Sequence, residues 1–296
     1  MKSKKETPKR GRRRVLSSLA LCTTTTLAVV GLSAAAPAIA SGGSVSTGGV
    51  FVPLPGSVPS GAAAFGTKKL KSLNWSGYAQ SGAGGTFTAV QDTWHVPTVT
   101  PKPGDQYSSD WVGIGGFIDD TTLVQAGTEA DNIGGVLLYR AWTEILPAPE
   151  DPLTLVISPG DEITTLVEET SANTWLMQVS DVTTGQTQSR SVAYDSSGAS
   201  VEAIHERPCL APCTGPADFA VLSTTTNVTF DPGEYSSSPP GAPVFNPLLS
   251  GAGGATLYDL IMAKGKTVFA TPSASDSDHD GFTVADGKHA PPPPAS

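Results

Sequence analysis

The sequence predicts an all-β fold, an antiparallel sandwich or barrel, on three observations. Short apolar–polar alternations recur along the middle of the chain, turn-forming clusters separate them, and no segment offers a sustained apolar stripe at helical spacing with a cap. A period of two places alternate side chains on opposite faces of a strand, whereas a helix needs a period near 3.6.

Taken in order, Thr86 to Val90, Thr154 to Ile157, Glu162 to Val167, Thr174 to Val179 and Val221 to Thr224 read as strands. Ser158-Pro159-Gly160-Asp161, Thr184-Gly185-Gln186 and Asp231-Pro232-Gly233 read as turns, because proline presets φ and glycine tolerates the values that tight turns require. A further short strand is expected at Phe282-Thr283-Val284.

The flanks have different compositions. Residues 1–40 combine a basic start, Lys2 to Arg14, with an apolar run that closes on Ala38-Ile39-Ala40, the pattern of a signal peptide cleaved after Ala40. Four consecutive threonines, Thr23 to Thr26, and the small-residue exit argue against a membrane anchor. Residues 41–66 are rich in Gly, Ser, Pro and Ala and are expected to form a flexible leader or propeptide, since few apolar anchors offset the entropy of ordering. Residues 67–289 then form one domain, and residues 290–296 a loose proline-rich tail.

The whole chain carries a formal charge of −9. The first 40 residues hold 8 of its 18 Lys and Arg and one of its 27 acids, so the rest is more acidic, at −16. Such a domain should bind neither nucleic acid nor, after signal removal, an anionic membrane. Export would leave Cys209 and Cys213, close enough in sequence for a disulfide clip on a loop.

Two motifs that suggest metals fail on spacing. His205-Glu206 begins like a zinc-protease helix, but Cys209 stands where the second His must be, after Pro208. Asp276-Ser277-Asp278-His279-Asp280-Gly281 copies the first half of a calcium loop, but Gly287 stands at the twelfth position instead of Glu, so the segment reads as a solvated turn. No Gly-x-Ser-x-Gly elbow or P-loop occurs, and neither a metal nor a cofactor is expected.

Six segments, in order, carry a resemblance: Asn74-Trp75-Ser76-Gly77-Tyr78-Ala79, Trp111-Val112-Gly113-Ile114-Gly115-Gly116, Leu123-Val124-Gln125-Ala126-Gly127-Thr128-Glu129, Ala141-Trp142-Thr143-Glu144-Ile145-Leu146-Pro147-Ala148-Pro149, Pro159-Gly160-Asp161-Glu162-Ile163 and Glu202-Ala203-Ile204-His205-Glu206-Arg207-Pro208. Together they resemble the eqolisin family of glutamic peptidases from Leu73 to about Val284, and the short leader and export style look bacterial. The resemblance implies a sandwich of two antiparallel sheets, similar in outline to concanavalin A and other legume lectins. It also implies a secreted, acid-acting endopeptidase working on proteins or peptides, with Gln125 and Glu206 as its catalytic pair; monomer is the default expectation for a small secreted hydrolase.

That pairing makes chemical sense. A carboxylate can act as general base on a water, provided something holds the water and stabilises the oxyanion that follows. An amide accepts through its oxygen and donates through its NH₂, so Gln125 would orient the water and polarise the carbonyl while Glu206 takes and returns the proton. To act as base in acid, Glu206 needs hydrogen bonds that outweigh its desolvation. Trp75, Trp111, Trp142, Glu129 and Glu144 also fall on matching positions. The tryptophans fit a cleft or a core equally, and the two acids fit a supporting shell behind the pair.

Two departures stand out. Gly115 occupies a position that is acidic in the best-studied fungal members, and Ala203 one that is usually aromatic. Two other functions stay open on the residues alone: a glycoside hydrolase, with two of Glu129, Glu144 and Glu206 facing across a groove, and a non-catalytic carbohydrate- or peptide-binding module.

Overall fold

Two facing sheets share one core, drawn from alternate residues of their strands. The structure, a computed structural model, describes residues 46–47, 49–54, 67–118, 120–210, 215, 217–251 and 254–296. All of these fall within one unit, Gly42–Ser296.

The strands, in chain order, are β1 Ser46–Thr47, β2 Lys68–Ser72, β3 Trp75–Ser81, β4 Ala89–His95, β5 Ser109–Gly115, β6 Leu123–Ile133, β7 Val136–Ile145, β8 Asp151–Pro152, β9 Glu162–Ser171 and β10 Thr174–Asp181. They continue with β11 Gln186–Ala193, β12 Ser200–Glu206, β13 Cys209–Leu210, β14 Val228–Phe230, β15 Glu234–Ser236, β16 Phe245–Pro247, β17 Thr256–Lys264, β18 Thr267–Pro272 and β19 Phe282–Asp286.

The front sheet runs β2-β17-β3-β12-β5-β6-β7-β8, antiparallel except for the β2–β17 pair. The back sheet runs β11-β10-β9-β4. Beyond β4 it branches into β15–β16 and into β14-β19-β18. The β17–β18 hairpin links the two sheets, so every strand except β1 and β13 belongs to one connected hydrogen-bonded assembly.

Between the sheets lie Val112, Ile114, Val124, Ala126 and Val201 from the front, and Trp94, Ile163, Val167, Trp175 and Phe230 from the back. Each fully buried large apolar side chain here contributes about 1.5–3 kcal/mol. Trp94 also donates Nε1 to Thr128 Oγ1 across the gap at 3.0 Å, so a polar atom of the front sheet is satisfied inside the core.

Two expected strands are not strands. Leu153, Leu155 and Ile157 are buried and Val156 is exposed, so the alternation in Thr154 to Ile157 is real. No neighbouring strand pairs with it, however, and the backbone N–H of Thr154 bonds to the Gln188 side chain instead. The Val221 to Thr224 stretch contributes a single bridge, Leu222 to Tyr107. Glu162 to Val167, Thr174 to Val179 and Phe282 to Val284 lie within β9, β10 and β19. The proline-rich tail runs without regular structure beside the loop before β19, where Ser296 Oγ meets Ser277 Oγ at 2.6 Å.

Candidate active site

The outward face of the front sheet has its own apolar layer: Phe51, Trp75, Trp111, Phe117, Leu123, Trp142, Ile204, Tyr258 and Leu260. Register explains why the site lies within this layer. Alternation along β12 turns Val201 and Ala203 into the core, which leaves Glu202, Ile204 and Glu206 on the outer face. The same rule sends Val124 and Ala126 inward on β6, with Leu123 and Gln125 outward.

Across the strands, one outer row reads Trp75, Glu206, Ser109, Glu129 and Arg140. The next row reads Gly77, Ile204, Trp111, Gly127 and Trp142, and the one after it Ala79, Glu202, Gly113, Gln125 and Glu144. Gly113 and Gly127 therefore sit in the middle of the face. A Cβ at Gly127 would come within 2.3 Å of the Asp110 carbonyl and 2.5 Å of Trp111 Cβ, and one at Gly113 within 3.0 Å of the Trp111 ring. Glycine is needed at Gly127, where the Asp110 carbonyl and Trp111 leave no room, while a Cβ at Gly113 would crowd the Trp111 ring and Leu123.

Glu206 ends β12 and is fully buried. Trp111 Nε1 donates to its Oε2 at 2.8 Å, while Asn74 Nδ2 and the Gly49 backbone N–H donate to Oε1 at 3.2 and 3.1 Å. Burial still pushes the Glu206 carboxyl up to about 7, against the lowering effect of donors from Gly49, Trp111, Asn74 and Trp75. Desolvation thus outweighs hydrogen bonding, the reverse of what a base working in acid requires. Beyond Glu206, buried Arg207 donates to the Leu73 carbonyl and packs between the Phe219 and Phe269 rings, fixing the strand end.

Gln125 is also fully buried, and its Nε2 donates to Glu144 Oε2 at 2.6 Å on the neighbouring strand. An ionised carboxylate only accepts, so Glu144 fixes which end of the amide faces it. Gln125 Oε1 has no hydrogen-bond partner among the described residues. The expected shell residues separate accordingly. Glu144 holds Gln125, whereas Glu129 is ion-paired to Arg140, which also reaches Glu150 at 3.2 Å. Burial raises Glu129 despite Arg140. Trp75 and Trp111 meet edge to face at 5.0 Å, and both point their Nε1 at the Glu206 cluster. Trp142 is buried in the same layer.

Gln125 and Glu206 share this face, but no described hydrogen bond joins them. They stand two strands and four residues apart, with Trp111 and the two glycines between. Three participants were missed by sequence reasoning. Asn74 was visible only as the neighbour of Trp75. Glu202, fully buried in the Gln125 row and raised well above the ordinary range by burial, was hidden by its nearness to Glu206. The third is the segment Gly49–Leu54, part of the expected leader. Its Gly49 carbonyl accepts from Trp75 Nε1 at 2.9 Å, Phe51 packs on Trp75 and Phe117, and Val52 N–H donates to Asn74 Oδ1 at 3.0 Å. That stretch crosses directly over Glu206.

The two departures have physical counterparts. Gly115 has φ 95°, and a Cβ there would lie 2.3 Å from the Thr122 carbonyl, so the local backbone excludes an acidic side chain. Ala203 is buried opposite Tyr78, whose ring packs edge to face on Phe282 at 4.9 Å. Cys209 is buried, and its expected partner Cys213 lies outside the described residues.

Fold and site together define a two-sheet sandwich whose outer face carries a buried glutamate and a buried glutamine under a tryptophan layer. The family model described as the Peptidase A4 family matches residues 73–283, and the chain belongs to that family. It is 31% identical to Aspergillopepsin-2 of Aspergillus niger over 140 residues, which cover 40% of this chain and 49% of that protein. It is 32% identical to Scytalidopepsin B of Scytalidium lignicola over 127 residues, covering 43% and 46%. The chain therefore spans about half the length of the curated relatives it matches. Among solved structures, scytalido-glutamic peptidase with a transition-state analogue inhibitor superposes with a TM-score of 0.59 at 23% identity, over 72% of this chain and 98% of that one. SCP-B, an eqolisin solved with the tripeptide Ala-Ile-His, superposes with a TM-score of 0.56 at 22% identity, again over 72% and 98%. These structures share the fold, which is the two-sheet sandwich expected from the sequence.

Proposed function

We propose that this protein is a secreted acid endopeptidase that hydrolyses peptide bonds with Gln125 and Glu206. The observation that carries the reading is Glu206 itself, a buried carboxylate at a strand end that accepts from Gly49, Asn74 and Trp111. Gln125 supports it, with an amide clamped by Glu144 and an oxygen left to accept from a water. In the proposed cycle Glu206 acts as general base on a water. Gln125, however, stands two strands and four residues away, too far for one water to touch both. Register favours a second assignment, in which Glu202, facing Gln125 across Gly113 in one row, takes the proton from the water that Gln125 holds as it attacks the scissile carbonyl. Gln125 donates its remaining N–H to the developing oxyanion. The carboxyl that took the proton then returns it to the leaving amine.

Residues 1–40 are proposed as the export signal and residues 41–66 as a propeptide. The position of Gly49–Leu54 supports the latter, since Gly49 holds the place on Glu206 that a water or substrate would need. Removing it readmits solvent and relieves the desolvation that raises Glu206, returning the carboxylate toward its ordinary range. The protein is also proposed to act as a monomer, with Cys209, which is buried, and Cys213 joined. A glycoside hydrolase is less well served, because Glu129 is neutralised by Arg140 and Glu144 is engaged by Gln125.

The test is digestion of an acid-denatured protein by the purified secreted form from pH 2 to 7, before and after release of the leader, beside Glu206→Gln. Cleavage confined to acid, stronger after release and absent in the variant, is expected. Equal cleavage by Glu206→Gln would remove the assignment, and so would a folded, leader-free protein that cuts nothing at any pH.

A further inference from the structure

Antiparallel pairing of β14 with β19 sets Phe230 opposite Phe282, which brings the turn after β14 against the loop before β19. Asp231 therefore meets Asp276 and Asp280, the acids of the incomplete calcium-loop motif. Each of the three offers a carboxylate oxygen, and no two of these oxygens lie more than 4.8 Å apart.

The loop is shaped around them. Asp276 N–H donates to the Gly281 carbonyl at 3.0 Å, and Asp280 N–H donates to Asp276 Oδ1 at 3.2 Å. Asp276 is only 5% exposed, and its second oxygen, Oδ2, has no hydrogen-bond partner among the described residues. That oxygen points at the cluster. A Cβ on Gly281 would sit 2.3 Å from it and 2.9 Å from the Asp231 carboxyl carbon, so only glycine leaves room for the two carboxylates to approach. Asp278 lies close enough to repel both Asp231 and Asp280, and among the described residues no ion pair joins any of the four to a Lys or Arg. A buried, unpartnered carboxylate oxygen among like charges is strongly unfavourable unless a cation completes it.

We propose that Asp231, Asp276 and Asp280, with Asp278 at the rim, bind a calcium ion. The donors are all hard oxygens, as calcium requires, and their spread fits inside a calcium shell, about 5 Å across at bond lengths of roughly 2.3–2.6 Å. His279 is not part of the cluster, and its Nδ1 faces Ser275 Oγ at 3.3 Å. The ligand missing at the twelfth position of the motif is replaced by Asp231, which no local sequence pattern could reveal. Asp231 and Asp280 are partly exposed, which leaves a route for entry. The ion would staple the β14–β15 turn to the loop before β19. The tail packs on that loop through Pro294 and Ser296, so it too would be held. The site involves neither Glu206 nor Gln125, and its role is stability rather than chemistry.

The full chain, stripped of metal with chelator and dialysed at pH 7, would be titrated calorimetrically with calcium chloride and with magnesium chloride, and its thermal unfolding followed with and without each. One equivalent of calcium should bind and raise Tm by roughly 5–10 °C at a hundredfold excess over Kd, with a smaller response to magnesium. Asp231→Asn and Asp280→Asn, chosen because neither is fully buried, should fold and lose the calcium-dependent rise. Absence of binding and of any rise overturns the proposal. So does a rise that survives unchanged in both variants, or a response to magnesium as large as to calcium.

Discussion

Along β9 and β10 in the back sheet, buried and half-exposed residues alternate almost one by one, whereas β5, β6 and β12 in the front sheet are buried at nearly every position. The difference follows from what covers each sheet. The back sheet packs one face on the core and shows the other to solvent, so apolar side chains on one side suffice. The front sheet packs on the core behind and carries a second apolar layer in front. Into that second layer it has placed four buried polar side chains, Gln125, Glu144, Glu202 and Glu206. Polar groups buried on a sheet face are unfavourable unless satisfied, so the chemistry proposed for this face falls in the less economical half of the sandwich.

The sharpest way to break this division is to change one residue in each half. Glu206→Gln is expected to reduce peptide hydrolysis on the order of 10²–10⁴-fold, the range for loss of a general acid–base. Its Tm should stay within a few degrees of the parent, because Gln fills the same volume and still accepts from Trp111. Steady-state rates on an acid-denatured substrate, with Tm measured alongside, would check this. A Tm collapse in Glu206→Gln would make the residue a structural element and blur the division.

In the back sheet, Phe230 is fully buried and stacks on Phe282 at 4.9 Å. Phe230→Ala should destabilise by about 3–5 kcal/mol, the usual range for removing a buried aromatic. Activity per folded molecule should be unaffected at temperatures where the protein remains folded. Urea unfolding with active-site-independent probes would measure it, and a specific loss of turnover in the folded fraction would contradict the separation of roles.

Much of the fold was legible in the sequence for the same reason that the two sheets differ. β9, β10 and β19 show themselves by alternation or by a short β-branched run between turns. β5, β6 and β12 do not, since both of their faces are covered and Gly113, Gly127 and Glu202 interrupt any apolar rhythm. Those strands were found only through the resemblance, which also supplied Gln125, Glu206 and the residues around them. Asn74 and the leader contact at Gly49 were not readable, because long-range pairing decides which distant backbone N–H meets Glu206. Asp231 was hidden in the same way.

A smaller perturbation sharpens the role of the glycine floor. Gly127→Ala forces a Cβ against the Asp110 carbonyl and Trp111, so β5 and β6 must part or the Trp111 ring must move. A loss of about 1–3 kcal/mol is expected, as for other overpacked sites. Activity should fall more than stability does, because Trp111 is the Glu206 donor with the shortest hydrogen bond. Alanine scanning of kcat and Tm at this position tests it, and a variant with normal turnover would mean that the floor serves packing alone.

The mildest effect concerns acid itself. Glu206 is raised by burial from 4.5 to about 7, and burial raises Glu202, Glu129 and Asp131 in the same sheet. A carboxyl whose folded pKa exceeds its unfolded value binds more protons when folded, so stability falls as pH rises through that window and is fully recovered below it. His205 acts in the same direction. Burial opposes its charge, but Asp110, 2.7 Å away, holds its pKa above the ordinary value. Its contribution is complete below about 6.5 and is lost as pH rises through the folded value. Both kinds of group therefore favour the folded state in acid, and Tm should fall from pH 4.5 toward pH 8. Glu202→Gln removes one such titration without touching a donor to Glu206. It should raise Tm at pH 7 by roughly 2–4 °C and change it little at pH 4. A Tm that rises with pH in the parent, or a Glu202→Gln effect equal at both pH values, would show that these buried acids are ionised in the folded protein and held by partners. The front sheet would then be built for neutral conditions, against the acid peptidase proposed for it.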